Sequence, residues 1–330
     1  MRRSALLALL LVGISVHALT LQRGDVIAQI RPFNSLLVYP PPGDEVAIAD
    51  SFGLPRSDAA SLGLPKYFGT GGLSFVDQGR AIYSTQNGVF EWRAGLGASA
   101  VNLSLRVLYG GEILRTRGGD LLIAELFRYG GKPRIVRFTP AGDVLWIYEI
   151  ADAPQYTGMQ YAGVAHMELL ADQCTLLWTP NTGTRYQVHT IDICSGSAKA
   201  DFLNATWQFE SDIEQIGSIR ALPNGDVLIA TQKDVRRFDK SGKKVATYKA
   251  PEPLIASPLD AETFLALTPD ASGVWIGRYN LIHRIDFASP SSPPVTFMTN
   301  GGTSLFALGV AGEWRAAQQP LSMKRRAAVH

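Results

Sequence analysis

Short apolar runs alternate with polar turns along most of the chain. In the clearest example, residues 220–230 predict two strands around the polar turn at 224–226, and residues 235–245 predict two more around a Ser-Gly turn at 241–242. Glycine, asparagine and aspartate between short apolar runs are typical of antiparallel hairpins. No helical periodicity appears after the first eighteen residues. The pattern therefore predicts a unit of four antiparallel strands.

This unit recurs along the chain at a period of roughly 50 residues. Further copies occupy residues 114–144, 167–193 and 264–286, with a weaker copy at 73–92. A sixth copy is split between the two ends of the chain. Residues 303–308 supply its first strand, while residues 24–28 and 35–39 supply its second and third strands.

We interpret these repeats as an all-β propeller of about six four-stranded blades, closed by N- and C-terminal strands. Strands such as 121–124 and 227–230 are apolar on both faces, and a sheet of this kind needs a neighbour on each side. Closing the ring also removes exposed sheet edges. A seventh blade is an alternative if residues 33–67 hold another unit. A two-sheet sandwich and a β-solenoid are the alternative folds.

The N-terminus has the pattern of an export signal. Arg2 and Arg3 precede an apolar run at 5–16 that is too short to cross a bilayer, and small residues lead to Ala18. We therefore predict a signal peptide over 1–18, a single propeller domain over 19–315 with an insertion near 51–72, and a flexible tail over 316–330. No later apolar run is long enough to span a membrane, so a secreted or periplasmic location is expected.

The two cysteines are placed to form a disulfide bond. Cys174 and Cys194 flank two β-rich runs, and the midpoint between them falls in the turn at 181–184. Antiparallel pairing around that turn would bring the thiols opposite each other. An oxidising compartment would allow the bond to form. Two buried free thiols are the alternative.

The charge balance argues against a nucleic-acid partner. Charged residues make up 18% of the chain and the formal net charge is +2, whereas nucleic-acid-binding proteins carry basic patches. We expect a monomer whose partner is a protein, a glycan or a small molecule.

A family resemblance is carried by the turn Leu222-Pro223-Asn224-Gly225-Asp226 with the apolar strand and the Val-Arg-Arg-Phe-Asp segment that follow it. It resembles the repeat of exported bacterial NHL and SMP-30/gluconolactonase-like propellers, over roughly residues 105–300. The resemblance implies a propeller fold and a bacterial source, without an assigned activity. Lactonases of the SMP-30 type bind a divalent cation in the channel, but the Glu-Gly-Pro phrase of that site is missing near the start of this chain. No cofactor is therefore predicted.

Propellers place their functional sites around the central channel, at the innermost strands. Aligning the copies puts five polar side chains on or beside this lining: Glu112, His166, Glu168, Arg220 and Glu262. His166 and Glu168 are candidates for acid–base catalysis, and the other three are candidate ligand contacts. Glu168 and Arg220 occupy matching positions in consecutive blades, which is compatible with an ion pair. The structural alternative is that these groups satisfy one another around the channel.

Two functional hypotheses follow from this pattern. The first is an exported binding or scaffold propeller without catalytic activity. The alternative is a lactonase-like hydrolase or lyase with a site at the channel mouth, in which a bound Ca²⁺ would polarise a carbonyl.

Overall fold

A computed structural model describes fifteen segments of the chain. These are residues 21–32, 45–56, 73–85, 87–107, 110–125, 127–129, 131–151, 160–180, 187–203, 216–231, 234–249, 263–278, 281–290, 295–298 and 303–318. Within these segments the regular structure is β-strand, apart from a 3-10 helix at Ala316–Gln318.

The strands follow one another through short turns. In chain order they are β1 (Val26–Pro32), β2 (Glu45–Ala49), β3 (Leu73–Asp77), β4 (Arg80–Thr85), β5 (Gly88–Arg93), β6 (Gly97–Ala100), β7 (Gly110–Arg115), β8 (Leu121–Glu125), β9 (Phe127–Tyr129), β10 (Arg134–Phe138), β11 (Val144–Glu149), β12 (Gln160–Ala162), β13 (Val164–Leu169), β14 (Thr175–Pro180), β15 (Val188–Asp192), β16 (Ser197–Leu203), β17 (Ser218–Ala221), β18 (Val227–Ala230), β19 (Asp234–Phe238), β20 (Lys244–Lys249), β21 (Thr263–Leu267), β22 (Gly273–Arg278), β23 (Leu281–Asp286), β24 (Val295–Met298) and β25 (Thr303–Val310).

Six antiparallel sheets form the blades of a propeller. Blade 1 is β25-β1-β2, blade 2 is β3 to β6, and blade 3 is β7, β8, β10 and β11. Blades 4, 5 and 6 are β13 to β16, β17 to β20 and β21 to β24. Strands β9 and β12 form a separate two-stranded ribbon. The structure thus confirms the predicted six-bladed β-propeller.

Blade 1 closes the ring by pairing the two ends of the described chain. Val26 of β1 lies opposite Val310 of β25, and Ala28 lies opposite Leu308. This confirms closure by N- and C-terminal strands. The third strand of the blade is β2, rather than residues 35–39 as predicted, and residues 35–39 lie outside the described segments.

The core lies between the faces of neighbouring blades. In β8, Leu122 packs in a cluster with Met167 of blade 4, whereas the next residue, Ile123, packs in a cluster with Val89 of blade 2. Both β8 side chains are fully buried. Burial on both faces is the reason that this strand needs apolar residues at consecutive positions.

The predicted disulfide is confirmed. Strands β14 and β15 pair with Thr175 opposite Asp192, and the adjoining Cys174 and Cys194 are bonded with their Cα atoms 5.1 Å apart. Residues 1–18 lie outside the described segments, and the predicted insertion is described only as far as residue 56. Among the described residues, no helix has the length and apolar character needed to span a membrane.

Candidate functional site

The innermost strands of the six blades surround a central channel. Strands β3, β7, β13, β17, β21 and β25 contact one another in that order, and β25 contacts β3 to complete the ring. Four of the predicted site residues are brought together here from blades 3, 4 and 5, namely Glu112, His166, Glu168 and Arg220. Glu262 lies outside the described residues.

The segment that follows β25 enters this channel. Residues 313–318, which we call the channel plug, follow the turn after β25 and lie where the inner strands finish. The Leu267 amide donates to Glu313 Oε1 at 2.8 Å, Gln173 Nε2 donates to the Ala316 carbonyl at 3.0 Å, and Gln318 Nε2 donates to the Phe75 carbonyl at 3.2 Å. The plug is therefore fastened to blades 6, 4 and 2. The sequence had assigned its last three residues to the tail, but the structure buries two of them in the 3-10 helix.

Arg220 links blade 5 to the plug. Its Nε donates to Glu313 Oε1 at 3.0 Å, and its Nη1 donates to the Ile219 carbonyl at 2.8 Å. The same Nη1 lies 3.7 Å from Glu112 Oε1. The guanidinium is thus shared between a carboxylate of blade 3 and one of the plug.

Arg315 of the plug contacts three carboxyl groups. Its Nη2 lies 3.1 Å from Glu168 Oε2 and 3.4 Å from Glu112 Oε1, and its Nη1 lies 3.6 Å from Glu313 Oε2. The side chain is only 2% exposed. Arg315 takes the position beside Glu168 that the sequence alignment had suggested for Arg220.

His166 completes the group, which we call the channel cluster: Glu112, His166, Glu168, Arg220, Glu313 and Arg315. The His166 Nδ1 lies 3.4 Å from Glu112 Oε2, and its ring meets that of Phe264 edge-on at 6.3 Å between centroids. Strand pairing shifts register beside both Glu112 and His166. Irregularities of this kind re-aim side chains next to functional sites.

The cluster is electrostatically unbalanced. Three carboxyl groups face two guanidinium groups, so one negative charge is unmatched when all five are ionised and His166 is neutral. Burial raises the pKa of Glu168 to about 7, against the lowering effect of Arg315 and Arg220. Burial also raises the pKa of Glu112, but Arg220, His166 and Arg315 outweigh it and hold that pKa below its ordinary value. A single proton would neutralise the cluster.

The sequence analysis missed Glu313 and Arg315. Both follow the last strand of the split repeat and belong to no repeated position, so alignment of the copies could not find them. A usable signal was the Glu-Trp-Arg sequence directly after an apolar closing strand, because a chain end beside the inner strand is also beside the channel.

A second concave surface lies between blades 4 and 5. This interblade cleft encloses about 650 Å³. Its apolar lining includes Leu177, Phe202 and Val227, and its polar lining includes Lys199 and Lys240. Lys199 also pairs with a neighbouring aspartate at 3.0 Å. Clefts of this volume and mixed lining are typical of small-molecule sites.

Among the residues that the structure describes, one group of side chains brings three possible metal-ligand atoms close together. Cys174, Asp192 and Cys194 bring their ligand atoms close together, but both sulfur atoms are used by the disulfide. The group is consequently a poor metal site in the oxidised protein.

No protein-family model and no curated protein matches this chain. Among solved structures, TolB from Acinetobacter baumannii is similar with a TM-score of 0.57 and 14% identity, over 87% of this chain and 66% of that chain. A protein of unknown function from Bacteroides caccae has a TM-score of 0.50 and 14% identity, over 87% and 98%. Virginiamycin B lyase from Staphylococcus aureus has a TM-score of 0.47 and 13% identity, over 71% and 72%.

At this level of identity the comparisons establish the fold alone. Together with the strand order, they define the chain as a β-propeller, and the contacts of residues 313–318 define it as one whose channel holds its own C-terminal segment.

Proposed function

We propose that this protein is an exported binding or scaffold propeller for a protein, a glycan or a small molecule, as expected of an NHL-like propeller without catalytic activity. One observation carries the proposal: the plug supplies Arg315 to the channel carboxylates. The two candidate acid–base residues, His166 and Glu168, are thereby buried against partners from the same chain, with 2% and 0% exposure. A substrate could not reach either group while the plug is in place.

The position of Arg315 also argues against a channel cation. In lactonase-like propellers, channel oxygens hold a divalent cation, which polarises the substrate. Here a guanidinium already lies among three carboxyl groups at 3.1 to 3.6 Å. A second cation would be repelled by that fixed positive charge.

The interblade cleft is the binding surface that we favour. Phe202 offers a half-buried aromatic face, and Lys199, Lys240 and Asn224 offer donors beside it. An apolar floor with a few polar groups at its rim can bury the body of a ligand and fix its orientation. The volume suits one small molecule or a short segment of glycan.

A cation panel separates binding from cation-dependent catalysis. We expect the melting temperature to be unchanged by Ca²⁺, Zn²⁺ or EDTA. A shift of several degrees with one cation, absent in Glu168→Ala, would overturn the binding proposal in favour of the enzyme.

A ligand screen tests the cleft directly. Oligosaccharides and small aromatic fragments would be screened by ligand-observed NMR against the wild type, Phe202→Ala and Phe90→Ala. Phe90 is a matched control because it is a half-buried phenylalanine of blade 2, far from the cleft. We expect binders that are lost only in Phe202→Ala. Binders lost equally in both variants, or in neither, would contradict the assignment.

A hydrolase or lyase is the second candidate function, favoured by the pKa of about 7 at Glu168. A group that titrates near neutral pH is suited to proton transfer, and His166 lies on the same strand. This candidate requires the plug to leave the channel. Lactone or ester turnover that is abolished in both Glu168→Gln and His166→Gln would support it, and turnover unaffected by either change would exclude it.

Export is part of the same proposal. The disulfide in blade 4 supports an oxidising compartment, and the predicted signal peptide supports secretion or a periplasmic location. Mass spectrometry of the mature protein should find its N-terminus after Ala18 and its cysteines oxidised. An intact N-terminus with reduced thiols would contradict export.

A further inference from the structure

The plug brings charged groups from four parts of the chain into one closed space. Strand β7 contributes Glu112, β13 contributes His166 and Glu168, β17 contributes Arg220, and the plug contributes Glu313 and Arg315. From β21, the contribution is the Leu267 amide, which carries no charge. All six charged or titratable side chains are at most 5% exposed.

Counted over the residues that the structure describes, this closed cluster cannot be neutral without a proton. Its two guanidinium groups leave one of its three carboxylates unmatched, and an unmatched charge in a buried site is strongly unfavourable. With the plug out, the surplus charge would be hydrated by channel water and its cost would largely disappear. Plug position and protonation are therefore coupled by the charge count.

We propose that closure of the channel by the plug takes up one proton, so that the plug is held firmly at acidic pH and loosens as the pH rises towards neutrality. Loosening opens the end of the channel where the inner strands finish and exposes Glu112, His166 and Glu168 to water. The inference does not depend on which ligand the protein binds.

Glu168 is the group that holds the proton. Its burial raises its pKa from 4.5 to about 7 in the closed state. Hydration in the open state would return the pKa towards its ordinary value. The closed state then binds more protons than the open state between these two values, so closure is favoured at low pH and is lost as the pH rises through about 7.

One backbone amide reports the position of the plug. Leu267 N–H points into the channel and donates to Glu313 Oε1, whereas the next amide, Thr268 N–H, donates within blade 6 to the Gly273 carbonyl at 3.0 Å. Hydrogen exchange at Leu267 therefore depends on the plug, and exchange at Thr268 depends on the blade. The two neighbouring amides form a matched pair in one strand end.

The experiment measures hydrogen exchange of both amides by NMR, from about pH 5 to about pH 9, corrected for intrinsic exchange. Between about pH 5 and the closed-state pKa of about 7, we expect protection at Leu267 relative to Thr268 to fall about tenfold per pH unit, the slope for one linked proton, and to level off at higher pH. A flat ratio over this range in the wild type would overturn the proposal by itself.

Two variants assign the proton. Glu168→Gln is neutral at every pH and should give a flat ratio with Leu267 protected throughout. Glu125→Gln is the control, because Glu125 is a buried carboxylate of blade 3 that pairs with Arg134 outside the cluster. It should keep the wild-type profile. A Glu168→Gln protein that retains the wild-type slope would show that the proton is elsewhere and would refute the assignment to Glu168.

Discussion

Two buried charge groups in this molecule are built differently. In blade 3, the Arg134 guanidinium faces the Glu125 carboxylate alone, with contacts of 2.6 and 3.1 Å. In the channel, each guanidinium is divided among carboxylates from different parts of the chain, and most contacts are 3.4 to 3.7 Å. The first is a balanced, two-point pair between neighbouring strands. The second connects blades to the chain end, and its charge is balanced only with a proton.

The comparison indicates which group is structural and which can respond to conditions. A balanced pair carries no surplus charge. An unbalanced cluster closed by a short terminal segment has both a proton to exchange and a part that can move. Four substitutions or treatments test this difference, beginning with the largest expected effect.

Removing Arg315 should be the most damaging change. Arg315→Met leaves three buried carboxyl groups with one guanidinium. We therefore expect its free energy of unfolding to fall by an amount near the top of the range of about 3–5 kcal/mol that is typical of a broken buried ion pair. Urea unfolding at neutral pH measures this loss of stability. Arg134→Met is the control, and its loss should lie near the bottom of the same range. Part of the Arg315→Met loss should be recovered in acid. A loss below about 1 kcal/mol would contradict the role of Arg315.

Glu125→Gln should lower the free energy of unfolding by about 3 kcal/mol at any pH between about 5 and 8, because it leaves the buried Arg134 charge without its carboxylate. Urea unfolding at several pH values measures this. A pH-dependent loss, or none, would remove the contrast between the balanced pair and the channel cluster.

Removing the disulfide should lower the stability of the protein by the same amount at every pH. Cys174 and Cys194 are 20 residues apart, and closing a loop of this length stabilises by roughly 3 kcal/mol in the chain-entropy model. The double variant Cys174→Ser/Cys194→Ser should unfold at lower urea and keep the wild-type pH dependence. A changed pH dependence would link the hairpin of blade 4 to the cluster, against our interpretation.

Glu168→Gln should give the smallest effect, and the effect should grow as the pH rises from about 5 to about 7. The folded-state pKa of about 7 exceeds the ordinary 4.5, so the bound proton stabilises the wild type fully below 4.5, and this contribution is lost as the pH rises through 7. The variant has no proton to lose at this position. Its free energy of unfolding should therefore rise relative to that of the wild type by on the order of 2 kcal/mol between about pH 5 and 8. Unfolding curves that stay parallel over this range would rule out titration of Glu168.

The sequence predicted the blades because their chemistry is repetitive. Apolar residues at consecutive positions, as at Leu122 and Ile123, need a packed sheet on both sides, and turns rich in glycine mark where each strand ends. The third strand of blade 1 was misplaced at 35–39. Local pattern could not show which apolar run would pair with β1, because strand pairing depends on long-range contacts, and in the structure β1 pairs with Glu45–Ala49.

Repetition also explains which residues of the channel cluster the sequence predicts and which it misses. Glu112, His166, Glu168 and Arg220 lie on inner strands at repeated positions, so alignment of the copies predicts that they lie beside the channel. Glu313 and Arg315 follow the last repeat and have no counterpart in other blades. Charged residues beyond a final strand usually indicate a solvated end, and only the path of the chain shows that these two turn inwards.

The pairing of β1 with β25 also sets an order of events during biogenesis. Val26 finds its partner only when Val310 has been made. Until then blade 1 lacks its innermost strand, and contacts between such distant segments form slowly. The ring therefore stays open during synthesis, and it can close only after its final strand and the plug behind it have emerged.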